Sequence, residues 1–330
     1  MCGLIGFFVG CDLAIACPKR NLCTSSRPYR SSFNKWDSRA SVRNAPRRMD
    51  KVNSALFPER FLPVLKHDLV QELDGNSREL LRKSGLYRFL NFTHKLEILV
   101  VNTVTANIAL GRYNTDFTDE VRLDAHRIYV DEAYHALFSF ELMQKVNVGN
   151  IAPAAFQEGT PAFIRRTQEL IEGHIPGDRA LLELMVVIVS EMLVTNTLRE
   201  ATTAPGLDQG VSAIIEDHAH DEARHHAFYK HVLLDLWPRL SDHQRNLVLK
   251  HIHPFLVAYT APDEQALRTE LRAVGLTEDQ ARQVIAETYD TQTVSEYANA
   301  CGKGIFATFE ELTDARGFAR VSEHFSMQPR

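Results

Sequence analysis

The pattern D-E-x-x-H occurs twice in this chain, as Asp131-Glu132-Ala133-Tyr134-His135 and as Asp221-Glu222-Ala223-Arg224-His225. Both copies lie within long stretches whose apolar residues recur with helical periodicity. Residues three apart share one face of a helix, so the glutamate and the histidine of each copy project together. Two such helices that face each other can bind a pair of divalent transition-metal ions. One copy alone would more often be a surface charge pair.

Two further glutamates lie among hydrophobic residues in other predicted helices. Glu97 lies in Leu96-Glu97-Ile98-Leu99-Val100-Val101, and Glu191 lies in the apolar run from Val186 to Val194. An ionised carboxylate in such a run is costly to bury unless it is paired or bound to a metal. The order Glu, ExxH, Glu, ExxH, with one element per helix, is the ligand pattern of di-iron and di-manganese carboxylate bundles.

Three other residues extend this predicted metal site. His218 precedes Glu222 by four residues, so it lies on the same helix face. Spacing alone leaves it either a third nitrogen ligand or a solvated histidine. Asp131 and Asp221 are predicted to accept hydrogen bonds from the ligand histidines and so to orient their rings. No catalytic residue is predicted beyond the metal ligands, which are Glu97, Glu132, His135, Glu191, His218, Glu222 and His225.

The apolar periodicity predicts an all-α fold, a ferritin-like four-helix bundle with additional C-terminal helices. No alternating run of strand type stands out. The predicted helices are Gly85 to Leu110, Asp119 to Lys145, Pro161 to Gly173, Asp178 to Arg199, Asp208 to Leu236, Ser241 to Tyr259, Pro262 to Val274 and Glu278 to Asp290.

Composition excludes several classes of protein. The 330 residues are 45% hydrophobic and 24% charged, with a net charge of −5, which is an ordinary globular balance. No basic stripe with interleaved aromatic residues is present, so we expect no nucleic-acid partner. No uninterrupted apolar run of about 18 residues is present, so we expect no membrane span. The five cysteines give neither a disulfide framework nor a zinc-binding CxxC spacing.

The N-terminal region differs in composition from the rest. We expect residues 1–35 to be an atypical, disordered extension and residues 36–330 to be the ferritin-like domain with the metal site, with residues 18–50 as a tail rather than a core element. The first 17 residues resemble a secretion signal, but they lack a basic n-region and Asp12 interrupts the apolar run. The expectation is therefore a cytoplasmic protein, and a lipoprotein-like cleavage before Cys17 is the alternative.

At these residues the sequence resembles the p-aminobenzoate N-oxygenase family of non-haem di-iron enzymes. The family pattern is Glu, ExxH, Glu and HxxxExxH, and the resemblance therefore assigns His218 as a ligand as well. It extends from Trp36-Asp37-Ser38-Arg39-Ala40-Ser41-Val42-Arg43 to about Ala300. It implies two iron ions, with manganese as a possible substitute, and O2 as co-substrate. The implied reaction turns an amine into a hydroxylamine, and further into a nitroso or nitro compound.

The resemblance also implies partners. Electrons must come from an external donor, a reductase or a ferredoxin, because no Gly-rich Rossmann fingerprint is present. The family further implies a homodimer. Where the family member that acts on free p-aminobenzoate has an arginine for the substrate carboxylate, this chain has Tyr297. A tyrosine cannot form the bidentate pair of arginine with a carboxylate. An amine without an exposed carboxylate, such as an amino acid tethered to a carrier protein, is therefore expected in natural-product assembly.

Two alternatives remain open from the sequence, and a third is excluded. The same site would serve C–H hydroxylation or desaturation, which sequence does not separate from N-oxygenation. The second alternative is iron storage or ferroxidase activity in a cage, although the chain is long for that role. A purely structural bundle would not account for glutamates at ligand spacing inside apolar runs.

Overall fold

The structure is a computed structural model that describes residues 29–44, 52, 56–113, 115–146, 159–202 and 205–314. Most of the expected N-terminal extension lies outside these residues. So do the possible cleavage site before Cys17 and the four N-terminal cysteines Cys2, Cys11, Cys17 and Cys23.

The described part of the chain is built from helices and contains no β-strand, so the predicted all-α class is confirmed. Short 3-10 turns connect some of the helices, as at Trp237–Arg239. The helices are α1 (Trp36–Arg39), α2 (Ser41–Asn44), α3 (Asp68–Gln71), α4 (Gly75–Leu96), α5 (Asn102–Ala109), α6 (Asp119–Lys145), α7 (Ala162–Ile171), α8 (Pro176–Thr202), α9 (Gln209–Leu236), α10 (Asp242–Thr260), α11 (Glu264–Ala273), α12 (Glu278–Thr288) and α13 (Thr291–Asp314).

A ferritin-like four-helix bundle forms the centre of the molecule, as predicted. Its four units are α4 continued by α5, then α6, α8 and α9. Helix α8 packs along α9, and α6 packs along α4 and α5. The C-terminal helices cover the bundle: α10 and α13 pack on α8, while α11 packs on α4. The site residues are thus held between rigid helices rather than on loops.

The first bundle helix begins ten residues before its predicted start at Gly85. Asp74 caps it, because its carboxylate accepts a hydrogen bond from the backbone N–H of Ser77 at 2.8 Å. Between α4 and α5 the chain makes one π-helical turn, Glu97–Val101, without leaving the helix axis. A π-turn inside an α-helix often marks a functional site, and this one begins at Glu97.

The last helix, α13, was not predicted, because the sequence-based helices end at Asp290. Gly302 and Gly304 disfavour a helix at this point. Packing overrides that preference: Phe309 is fully buried, and α13 crosses α10 closely at Gly302. A Cβ atom at Gly302 would lie only 2.5 Å from Leu256 Cδ1, so the close approach needs glycine.

The N-terminal segment Tyr29–Asn44 packs against the bundle. Phe33 is only 1% exposed, and the Tyr29 hydroxyl donates a hydrogen bond to the buried carboxylate of Asp124. The interpretation of residues 18–50 as a tail is therefore wrong for residues 29–44. The packed segment crosses the expected domain boundary between residues 35 and 36.

Helix α8 is the apolar centre of the bundle. It is long and apolar enough to cross a membrane by length and composition, but 94% of its most apolar window is buried inside the protein. Packing against α9, α10 and α13 accounts for this apolar surface. The helix therefore gives no support to a membrane span.

Candidate metal centre

The seven predicted ligands converge in the middle of the bundle. Glu97 comes from the π-turn, Glu132 and His135 from α6, Glu191 from α8, and the remaining three from α9. Each of the seven is at most 2% exposed. Helical spacing places the residues of each helix on one face, and the bundle directs the four faces inward.

The side chains form two overlapping groups that share Glu132 and Glu222. Within each group the possible ligand atoms lie within 4.8 Å of one another, which is close enough to hold a metal ion. The first group consists of Glu132, His135, His218 and Glu222, and the second consists of Glu132, Glu191, Glu222 and His225.

Each oxygen of Glu132 lies close to a histidine of a different group. Oε2 lies 2.7 Å from His135 Nδ1, and Oε1 lies 2.7 Å from His225 Nδ1. Glu222 Oε1 lies 3.0 Å from His218 Nε2 and 3.5 Å from His225 Nδ1. Both carboxylates therefore lie close to histidines of both groups.

Glu97 and Glu191 lie at opposite ends of this arrangement. Glu97 Oε1 is 3.9 Å from His218 Nε2, and Glu191 Oε2 is 3.9 Å from His225 Nδ1. Burial, together with the charges of Glu132 and Glu222, raises the pKa of both terminal carboxyls well above its usual value. Each also keeps one buried oxygen that accepts no hydrogen bond from the described residues.

The pKa values of the three imidazoles are also shifted, two of them upward and one downward. Burial alone would lower the pKa of His135 and His225, but the negative charge of Glu132 raises it well above the usual value. Burial, with the nearby charge of His135, lowers the pKa of His218. Protons on His135 and His225 balance the buried carboxylates in the metal-free protein. Four carboxylates and three imidazoles, with a buried oxygen of Glu97 and one of Glu191 left without a hydrogen bond, fit a pair of divalent transition-metal ions.

Asp131 and Asp221 bond the ligand histidines of the opposite helix. Asp131, on α6, accepts a hydrogen bond from His225 Nε2 at 3.3 Å, and Asp221, on α9, accepts one from His135 Nε2 at 3.1 Å. Burial opposes the charge of Asp221, but hydrogen bonds from His135 and Ser41 hold its pKa well below the usual value. The predicted contacts between aspartates and histidines are therefore present, and they cross between helices.

Two residues of the N-terminal segment hold these aspartates, and sequence reasoning missed both. Trp36 Nε1 donates to both oxygens of Asp131, at 2.9 and 3.0 Å. The backbone N–H and the hydroxyl of Ser41 donate to Asp221, which also accepts from Arg224. The one signal available was that the family resemblance begins at Trp36.

Aromatic rings pack against the histidines of the cluster. Phe33 stacks on His225 with ring centroids 6.0 Å apart, and Phe138 lies 5.5 Å from both His135 and His218. On another side, burial and the charge of Glu97 raise the pKa of Tyr259 well above its usual value.

Tyr297, the candidate substrate residue, lies on α13 and is 51% exposed. Its hydroxyl hydrogen-bonds the sulfur of Cys301, and no described contact joins it to the seven clustered residues. Its role stays a prediction. A cavity of about 530 Å³ elsewhere, lined by Arg165, Arg166 and Arg268 among others, contains none of the site residues.

One family of known proteins matches this chain. The model of the family described as "P-aminobenzoate N-oxygenase AurF" matches residues 35–313, which is most of the chain. The match includes all seven clustered residues together with Trp36 and Ser41. It continues past Ala300, where the sequence resemblance was expected to end. A comparison with curated proteins finds no match.

Proposed function

Because this chain belongs to the p-aminobenzoate N-oxygenase family, we propose that it is a non-haem di-iron oxygenase that uses O2 to oxygenate the nitrogen of an amine. The product is a hydroxylamine, which further turnovers convert into a nitroso or nitro compound during natural-product biosynthesis. The observation that carries this proposal is the pair of buried ligand groups that share Glu132 and Glu222.

Each residue has a part in this proposal. Glu97, His135 and His218 would hold one iron ion, while Glu191 and His225 would hold the other. Glu132 and Glu222 would bind both. When bound, the two ions supply the redox chemistry of dioxygen activation. Manganese would fit the same donors.

The protein itself orients the donors and excludes water. Asp131 and Asp221 hold a proton on the Nε2 atoms of His225 and His135, so that each Nδ1 atom points to the carboxylates. Phe33 covers one side of the cluster. A dry site strengthens every electrostatic interaction within it.

The proposed substrate is an amine without an exposed carboxylate, such as an amino acid bound to a carrier protein as a thioester. The support for this choice is Tyr297, a neutral residue at the position where the resemblance implies an arginine in the family member that acts on free p-aminobenzoate. The proposed location is the cytoplasm. Electrons would come from an external reductase or ferredoxin, and the active protein would be a homodimer.

The test is an assay of the reduced, iron-loaded protein with O2 against a panel of free and carrier-bound amines labelled with ¹⁵N. The expected product has gained oxygen at the labelled nitrogen. Oxygen on carbon, or loss of two hydrogens, would replace the proposal with C–H hydroxylation or desaturation. Uptake of iron into a large oligomeric shell, detected by light scattering, would point to storage instead. A parallel assay of Glu222→Ala controls for adventitious iron.

A further inference from the structure

Trp36 connects the protein surface to the buried cluster by hydrogen bonds. Its Nε1–H donates to both oxygens of Asp131, and Asp131 Oδ2 accepts from His225 Nε2 at 3.3 Å. On the other side of the same imidazole, Nδ1 lies 2.7 Å from Glu132. A chain of indole, carboxylate and imidazole therefore runs from α1 into the cluster.

Trp36 is partly exposed, unlike the start of the second chain. The equivalent path to His135 runs from Ser41 through Asp221, and Ser41 is only 5% exposed. Trp36 keeps part of its surface accessible to solvent, and the neighbouring residue Lys35 is exposed. The aspartate of the second chain also accepts from the partly exposed Arg224, so the chain through Trp36 is distinguished by beginning at an aromatic ring.

The segment that carries Trp36 is basic on its exposed surface. Four exposed cations and a single acid, Asp37, lie in the segment from residue 29 to residue 44. The chain as a whole carries a net charge of −5, so this patch differs in sign from the average surface. Such a local field attracts and orients an acidic partner. The cations are Arg30, Lys35, Arg39 and Arg43, and the Arg43 guanidinium lies 5.6 Å from the indole ring centre.

We propose that Trp36 is the point at which electrons enter this enzyme, and that the surrounding basic patch docks an acidic, low-potential iron–sulfur protein. This inference rests on the proposed function, because it assumes a redox-active centre. In each transfer the iron–sulfur cluster of the donor loses one electron and the metal site gains one. Trp36 begins and ends as a neutral indole, and no covalent bond forms or breaks.

Docking is tested first, without any redox step. The chain has two tryptophans, so Trp237→Phe leaves Trp36 as the only one, and its fluorescence reports contact at the patch. The protein is titrated with plant-type ferredoxin in two separate experiments. In the first the protein is metal-free, and in the second it is loaded with redox-inactive Zn²⁺. We expect saturable quenching that weakens at least about tenfold when Arg39 and Arg43 are changed to glutamate, because like charges then oppose the partner. Calorimetry on the unmodified chain measures the affinity without a substitution.

Electron delivery is tested by stopped-flow reduction of the oxidised, iron-loaded protein. The rate with reduced ferredoxin is divided by the rate with dithionite and methyl viologen, which need no docking site. We expect Trp36→Phe to lower this ratio at least about tenfold, the scale on which an outer-shell hydrogen bond acts at metal sites. Trp237→Phe is the matched control, since Trp237 is 1% exposed in the core, and it leaves the ratio unchanged.

The possible results separate this inference from the proposed function. An unchanged ratio in Trp36→Phe would overturn electron entry and leave Trp36 as a residue that only positions Asp131. Absence of saturable binding to the unmodified chain would overturn the docking surface. A protein that docks ferredoxin through the patch but holds no iron would instead refute the proposed function.

Discussion

Glu132 belongs to both ligand groups, as does Glu222. We expect Glu132→Ala to abolish turnover and to lower the bound iron, because each of its oxygens faces a different histidine. Helicity should persist, since the bundle core is formed by other side chains. Iron analysis and circular dichroism measure the two effects. Glu216→Ala, at an exposed position of α9, is the control, and full activity in Glu132→Ala would remove that residue from the site.

Glu183 gives the stability of the protein a pH dependence apart from the metal ligands. Burial raises its pKa to about 8, against a usual value of 4.5. The folded state therefore keeps a proton that the unfolded chain loses, so stability falls as pH rises from about 4.5 to 8, by about 1.4 kcal/mol for each pKa unit.

Replacing this carboxyl with an amide should remove that loss. We expect Glu183→Gln to unfold at a higher temperature than the unmodified protein at pH 8, and at a similar temperature at pH 5. Thermal unfolding of both proteins at the two pH values gives the measurement. An equal difference at both pH values would show that the side chain does not titrate between them.

The sequence was informative about individual residues where their signal is local. Spacings of three and four residues predict the glutamates and histidines because a helix converts them directly into one face. Trp36 and Ser41 were not predictable in this way, since their bonds to Asp131 and Asp221 span 95 and 180 residues. The N-terminal segment has no periodicity that predicts such contacts.

At the scale of elements, two glycines two residues apart on α13 should behave oppositely. Gly302→Ala places a methyl group against the fully buried Leu256 and should destabilise the protein by about 1–3 kcal/mol. At Gly304 an added Cβ atom would have no neighbouring atom within 4 Å, so Gly304→Ala should stabilise by up to about 1 kcal/mol. Denaturant unfolding of the pair measures both signs. A stabilising Gly302→Ala would contradict the close crossing of α13 and α10.

One face of α6 is apolar and exposed. Its residues recur at intervals of seven and three, the spacing at which helices pack side by side. Acidic Asp119 begins the helix and Lys145 ends it, so antiparallel packing on a second copy pairs opposite charges. A homodimer, which the family resemblance implies, would bury this face. The residues are Leu123, Val130, Leu137 and Phe140, each 42–52% exposed.

A charge in this face should separate the two copies. We expect the unmodified protein to be a dimer and Leu137→Glu to be a monomer, because the dimer would bury two unpaired carboxylates. Light scattering after size-exclusion chromatography gives the mass. Ile175→Glu, at an exposed apolar residue outside α6, is the control and should remain a dimer. A monomeric unmodified protein would refute the interface.

Elements were predicted best where their own periodicity is strong. The range predicted for α6, Asp119 to Lys145, is the one observed, because Thr118 caps its N-terminus and its core face is regular. The π-turn at Glu97–Val101 changes the number of residues per turn without any residue type that marks it. Helix α13 depends on tertiary packing that outweighs its glycines, so local propensity was misleading there.

At the scale of the whole molecule, the fold brings separate sequence signals to one place. Glu97 and His225 are far apart in the sequence, and neither signal alone distinguishes a metal site from a buried charge. The bundle packs the helices that carry them and so creates two ligand groups with common members. Class and site follow from the pattern of four helices, whereas the N-terminal contacts depend on the complete fold.

Metal binding should therefore be coupled to the stability of the whole chain. The clustered ligands exist only in the folded state, so a metal present at 100 times its dissociation constant stabilises that state by about 2.7 kcal/mol. We expect about two irons per chain after anaerobic loading, as in carboxylate-bridged bundles. The melting temperature should rise on loading and fall again with a chelator.

The control for this experiment is Glu132→Ala, which has the same helices but lacks a shared ligand. Iron should raise its melting temperature less than that of the unmodified protein, because binding to unrelated surface carboxylates would stabilise both chains equally. One iron or none by elemental analysis would contradict the paired site. Equal shifts in the two proteins would mean that the iron binds elsewhere, since Glu132 is the carboxylate whose oxygens face both histidine groups.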